Sequence, residues 1–170
     1  RDLTGQLLAF SRRQHLTPVT LDVNALIRDA EAFIRQHQFY LPPFAYWTPQ
    51  EWSGKGAEAA EIVQRGLGWD ITDFGLGDYR NRGLFLFTIR NGSPENLKTG
   101  KGKVYAEKVL IVDVQQVTPF HFHWIKVEDI INRGGGVLKI QLYNATDDDL
   151  LDESSAITVS LDGVATEVEP

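Results

Sequence analysis

Residues 118–144 read TPFHFHWIKVEDIINRGGGVLKIQLYN, and this stretch decides how the chain folds and what it can do. In an extended backbone, side chains two apart point the same way. His121 and His123 therefore share one side while Phe122 packs away from them, and Glu128 returns to the same place after a short turn. Two imidazoles and one carboxylate form a donor set for a divalent first-row metal, since calcium and magnesium prefer all-oxygen shells. The chain has no cysteine, so any metal must be held by nitrogen and oxygen. The alternative is that both histidines are partly buried and bonded to backbone carbonyls.

Composition narrows the setting. The 170 residues suit one domain with a real core. A hydrophobic content of 42% and a charged content of 24% are ordinary for a globular protein. The net charge of -6 speaks against nucleic acid and anionic membrane as partners. No stretch approaches the roughly 20 apolar residues of a membrane span. The absence of cysteine fits a reducing cytoplasm. A chain with no methionine reads as processed, excised or re-engineered.

Working outward, Leu3, Leu7 and Phe10 recur at helical spacing over residues 1 to 15. Asp22 is placed to cap a second helix running to about Gln38, and Pro42-Pro43 stops it. Thr48-Pro49-Gln50-Glu51 has the form of a capping box with proline at the first helical position. A short helix over 57 to 65 is expected to end at Gly66, and residues 66 to 83 read as a structured loop. From Leu84 the period changes. LFLFTIR, KVYAEKVLIVDVQQV, VLKIQLYN and AITVSLD are strand-like runs separated by Asn91-Gly92, Lys101-Gly102, Gly134-Gly135-Gly136 and Asp162-Gly163. The acidic run Asp147-Asp148-Asp149 lacks the spaced ligands of a calcium loop and reads as solvated.

His121, His123, Glu128 and Gly135 match the first motif of the cupins, small antiparallel β-barrels with a metal at the barrel mouth. The chain departs from that motif at Gln115, which stands where a glycine usually precedes the first histidine by six positions. Together with FYLPPFAYWTPQEW, GLGWDITDFGLGDY and LFLFTIRNG upstream, the motif resembles the D-lyxose isomerase family of sugar-isomerising cupins. The resemblance runs from about Asn24 to the C-terminus.

It implies a mainly β chain: a jelly-roll-like cupin barrel with N-terminal helices, incomplete at its C-terminal end. The implied layout is a helical extension over 1–22, a helical part over 23–83 and barrel strands over 84–170. The implied activity is aldose–ketose isomerisation, D-lyxose to D-xylulose and also D-mannose to D-fructose. Mn2+ is the implied cofactor, with Co2+ another divalent transition metal of that kind. By this resemblance His121, His123 and Glu128 are metal ligands, Lys108 is a catalytic residue lining the pocket, and Lys126 is a substrate contact. For either lysine the plainer reading is a surface side chain laid along apolar neighbours. A fourth ligand and an acidic base belong to the family pattern beyond the matched motif. The expected partners are a sugar and either a second copy, as a homodimer, or a complementing C-terminal fragment. The alternative function is a non-catalytic metal- or sugar-binding fragment. Residues 1–27 also resemble the end of a histidine-kinase dimerisation helix pair, without its phosphoacceptor segment.

Overall fold

The computed structural model describes residues 20–124 and 126–170. The helix expected over residues 1 to 15 lies outside the described residues. The chain forms two compact units, Arg1–Val127 and Glu128–Pro170.

In the first unit, Asp22 opens helix α1 (Val23–Gln36) by accepting a hydrogen bond from the Ala25 N–H at 3.0 Å. This satisfies one of the donors that every helix start leaves without an intrahelical partner. Ala30 and Ile34, one turn apart, are its buried positions. Gln38 takes a left-handed φ of 56°, and the Phe39 N–H closes back on the Ile34 carbonyl at 3.1 Å. A short 3-10 turn, Pro43–Tyr46, leads to α2 (Pro49–Ser53). The expected capping box is present. The Glu51 N–H reaches Thr48 Oγ1 at 3.2 Å, and the Thr48 N–H reaches Glu51 Oε2 at 2.7 Å. The helix expected over 57 to 65 begins as a 3-10 turn, Ala57–Ala59, and continues as α3 (Ala60–Gln64), with Gly66 at a φ of 59° beyond it.

Three antiparallel strands follow: β1 (Gly68–Thr72), β2 (Leu84–Arg90) and β3 (Glu107–Ile111), in the order β1-β2-β3. β2 is central and buried from Leu84 to Thr88. It therefore reads as a continuous apolar run, as a strand covered on both faces must. Phe87, fully buried, lies at the centre of a core with Ile34 and Leu41. Trp69 stacks on Phe85 at 5.0 Å and meets Phe87 edge-on at 4.9 Å. Between β2 and β3, Ser93 caps α4 (Pro94–Thr99), and Gly100 ends it with a left-handed φ of 66°. Arg90 pairs with Glu107 across the β2–β3 edge.

The segment that leaves β3 is clipped to the loop before β2. Gln116 is buried; its amide donates to the Tyr79 carbonyl at 2.6 Å and accepts from the Asp113 N–H at 3.0 Å. The Val117 N–H adds a bond to the Asn81 carbonyl at 2.8 Å. The close approach needs glycine at 83, where a Cβ would fall 2.3 Å from the Tyr79 oxygen. Gln115 takes a φ of 64°. This glutamine thus holds a left-handed backbone, a conformation that favours glycine.

In the second unit, β4 (Asn144–Ala145) pairs with β5 (Leu151–Asp152), and β6 (Ile157–Leu161) pairs with β7 (Val164–Val168). Asp162 and Gly163, at φ 49° and 86°, form the two-residue turn of that second hairpin. Positive φ at both positions matches the right-handed twist of the flanking strands.

The expected N-terminal helices and antiparallel strands are present, while no barrel is seen among the described residues. Helix and strand share the described chain about equally, and the strands form three small sheets rather than a closed barrel. The loop expected over 66 to 83 contains β1. Of the run 103–117 only Glu107–Ile111 is strand, and of 137–144 only Asn144. A strand exists by pairing, because each unpaired N–H and C=O must otherwise be solvated. Val137 is fully exposed and Val127 nearly so, at 100% and 96%. These runs have strand composition without a neighbour to pair with among the described residues.

Candidate metal centre

The segment carrying the two histidines is not a strand, yet its side chains still alternate. His121 and His123 bring their rings together at 4.9 Å, and Phe122 and Trp124 bring theirs together at 4.7 Å. Extended local conformation, without a ladder, is enough to sort imidazoles from apolar rings. His121, His123 and Glu128 each offer one ligand atom, and these atoms all lie within 4.8 Å of one another. All three residues are exposed.

His121 Nδ1 lies 2.9 Å from the Pro119 carbonyl oxygen. A carbonyl only accepts, so in the neutral ring this contact favours the proton on Nδ1 and leaves the Nε2 lone pair for a ligand. Holding the other ring nitrogen this way is how metal-binding histidines are commonly oriented. The carbonyl bond considered as an alternative to metal binding is therefore compatible with it.

The donor set fits a transition ion in kind. Bonds of about 2.0–2.2 Å to one ion set donors roughly 3–3.5 Å apart, so a side-chain adjustment of about an ångström would close the present arrangement. Exposed side chains make such adjustments within nanoseconds.

Lys108 lies on β3 in register with Thr88, beside the irregularity between Thr88 and Arg90. Its neighbours Val109 and Ile111 pack against the aromatic core, whereas Lys108 is exposed. Lys126 is exposed, two residues before Glu128. Sequence reasoning missed a cavity of about 520 Å³ in the second unit, lined by Glu128, Lys139, Gln141 and Ser160 among others. The signal was present in Lys139-Ile140-Gln141-Leu142, whose polar residues alternate with apolar ones.

The described residues form helices leading into small antiparallel sheets, and they bring His121, His123 and Glu128 close enough together that these could hold a metal ion. The comparisons are narrower. The family model for D-lyxose isomerase matches residues 21–170, and the chain belongs to that family. It is 46% identical over 142 residues to the D-lyxose/D-mannose isomerase of Serratia proteamaculans. It is 44% identical over 142 residues to the D-lyxose/D-mannose isomerase of Escherichia coli O157:H7. Each match covers 83% of this chain and 61% of the relative, so the chain spans about three fifths of those relatives' length.

Proposed function

We propose that this chain supplies the metal-holding residues of an aldose–ketose isomerase that converts D-lyxose to D-xylulose and D-mannose to D-fructose. The observation that carries the reading is the convergence of His121, His123 and Glu128 within 4.8 Å in a chain of the D-lyxose isomerase family. These three residues would hold the ion. Mn2+ is the metal proposed, with Co2+ able to replace it, because two imidazoles and one carboxylate suit first-row ions. When bound, the ion would polarise the sugar carbonyl and offset negative charge developing on the sugar oxygens.

Other residues of the chain have parts of their own. The Pro119 carbonyl favours the His121 proton on Nδ1 in the neutral ring, so the ring presents a lone pair. Isomerisation moves hydrogen between C1 and C2, and a general base takes the C2 proton and returns it to C1. Lys108 is assigned to donate to a sugar oxygen and stabilise charge there. Lys126 is assigned to a sugar hydroxyl. The setting proposed is cytoplasmic and the partner a second copy. No helix among the described residues is long and apolar enough to cross a membrane.

A second reading has its own support. Trp124, Val127, Ile131 and Val137 are exposed at 75%, 96%, 63% and 100%. Large apolar side chains left this exposed are ones that another polypeptide would cover. On that reading the chain binds metal or sugar and turns over only beside a complementing chain. The test is incubation with Mn2+ and D-lyxose, with D-xylulose measured directly. Product formed by this chain supports the first reading. Mn2+ binding without product supports the second. Neither binding nor product would refute both.

A further inference from the structure

We propose a second ligand site in the first unit, a saccharide-binding depression between α1 and the aromatic segment that follows it. None of its residues belongs to the 121–128 segment. The cavity measures about 620 Å³, within the ~300–1,000 Å³ of small-molecule sites. Its lining includes the aromatic residues Phe44, Trp47, Trp52 and Trp69. From α1 the lining takes the polar Asn24, Arg28 and Glu31, with Ile27 beside them.

The spacing of these three is the first argument. Positions 24, 28 and 31 fall on one stripe of a helix, separate from the stripe of Ala30 and Ile34 that enters the core. A helix that only packed on aromatic rings would place apolar residues on that stripe. Here an amide, a guanidinium and a carboxylate line the same cavity as the indoles.

These groups also lack partners among the described residues. The Trp69 indole N–H donates to the Ala45 carbonyl at 3.3 Å, so that ring is fixed. Among the described residues, the side chains of Asn24, Arg28 and Glu31 have no hydrogen-bond or ion-pair partner, and the Trp47 and Trp52 indoles have none for their N–H groups. Trp47 and Trp52 meet edge-on at 5.1 Å, and the Lys55 ammonium lies 4.2 Å from the Trp47 ring centroid. The rings are therefore preoriented while donors and acceptors remain available.

The chemistry that fits is a neutral sugar. One face of a pyranose is mostly C–H and lies against an aromatic ring, while its hydroxyls both donate and accept. Glu31 accepts, Arg28 donates, and Asn24 does both. A phosphorylated ligand would meet the carboxylate of Glu31, and an apolar ligand would strand the three polar heads.

The test uses the full chain and methyl α-D-mannopyranoside, a glycoside whose blocked anomeric carbon prevents isomerisation. Binding is read by tryptophan fluorescence and by saturation-transfer NMR, in Mn2+ and in EDTA. We expect saturable binding with a Kd on the order of millimolar in both conditions. Arg28→Ala and Glu31→Gln should each weaken it about tenfold, the size expected for a hydrogen bond to a charged group. The double variant His121→Ala/His123→Ala should bind as the parent does. Glu31→Gln keeps the side chain's shape, so it reports even where Arg28→Ala fails to fold. Three results would overturn the proposal: no binding up to about 100-fold above that range, unchanged binding in Glu31→Gln, or loss of binding only in the histidine variant. The last would move the sugar to the metal segment, and none of the three bears on whether that segment isomerises D-lyxose.

Discussion

Gln115 and Gln116 are neighbours of one residue type, and the structure assigns them effects of opposite sign. Gln115 holds a φ of 64°, where a Cβ crowds the following carbonyl. That conformation costs a non-glycine residue about 1–2 kcal/mol. Glycine removes the strain but returns about 0.4–1 kcal/mol through the greater freedom of its unfolded chain. The difference leaves Gln115→Gly more stable by roughly 0.5–1 kcal/mol. Gln116 is buried, with bonds to Tyr79 and Asp113 of 2.6 and 3.0 Å. Gln116→Ala strands that carbonyl and that N–H, at a cost of about 1–3 kcal/mol. Urea unfolding followed by circular dichroism reads both. With a slope near 1–3 kcal/mol per molar, the midpoint should rise by about 0.3–0.5 M for the first variant and fall by about 1 M for the second. A fall in both, or a rise for Gln116→Ala, would refute the account of this turn. The turn leads directly into Thr118-Pro119 and the first histidine, so its geometry sets how the metal segment is entered.

Two further outcomes follow from the same structure. Phe87→Ala empties the fully buried centre of the aromatic core and should cost about 3–5 kcal/mol, read by the same unfolding experiment. The Thr48 N–H and then its hydroxyl hold the Glu51 carboxyl below its ordinary range, with Lys55 adding to this against slight desolvation. A carboxyl lowered by folding contributes stability above the ordinary carboxylate range and loses it as pH falls through its folded value. Glu51→Gln should therefore flatten the acid limb of the stability-versus-pH curve, and an unchanged limb would remove the capping box from the account.

Much of this was legible wherever a local signal and its structural consequence involve the same few residues. Asp22 caps α1, Thr48 and Glu51 form their box, and Asp162-Gly163 turns a hairpin, because each signal is satisfied within four residues. LFLFTIR is a strand because its apolar run is buried on both faces. VLKIQLYN has the same composition and no ladder before Asn144, because strand propensity measures fit to a neighbour and not an intrinsic state. The helix at Pro94–Thr99 was readable from Ser93-Pro94 and Gly100 but was hidden among turn residues. β1 was hidden by its glycine and aspartate, and pairing with β2 outweighs their low strand preference. At the candidate centre, the spacing of His121 and His123 indicated which rings would meet. The Pro119 bond that favours one His121 tautomer depends on a turn no pattern displays. Lys139 and Gln141 beside Glu128 became visible only with the cavity they line.

The account's central claim is that His121, His123 and Glu128 hold one ion. Isothermal titration of Mn2+ into the full chain, the variants His121→Ala and Glu128→Gln, and the control His37→Ala tests it most directly. One Mn2+ per chain is expected for the parent and for His37→Ala, with affinity reduced at least about tenfold by either substitution at the cluster. Equal affinity in all four proteins, or no Mn2+ bound by the parent, would contradict it.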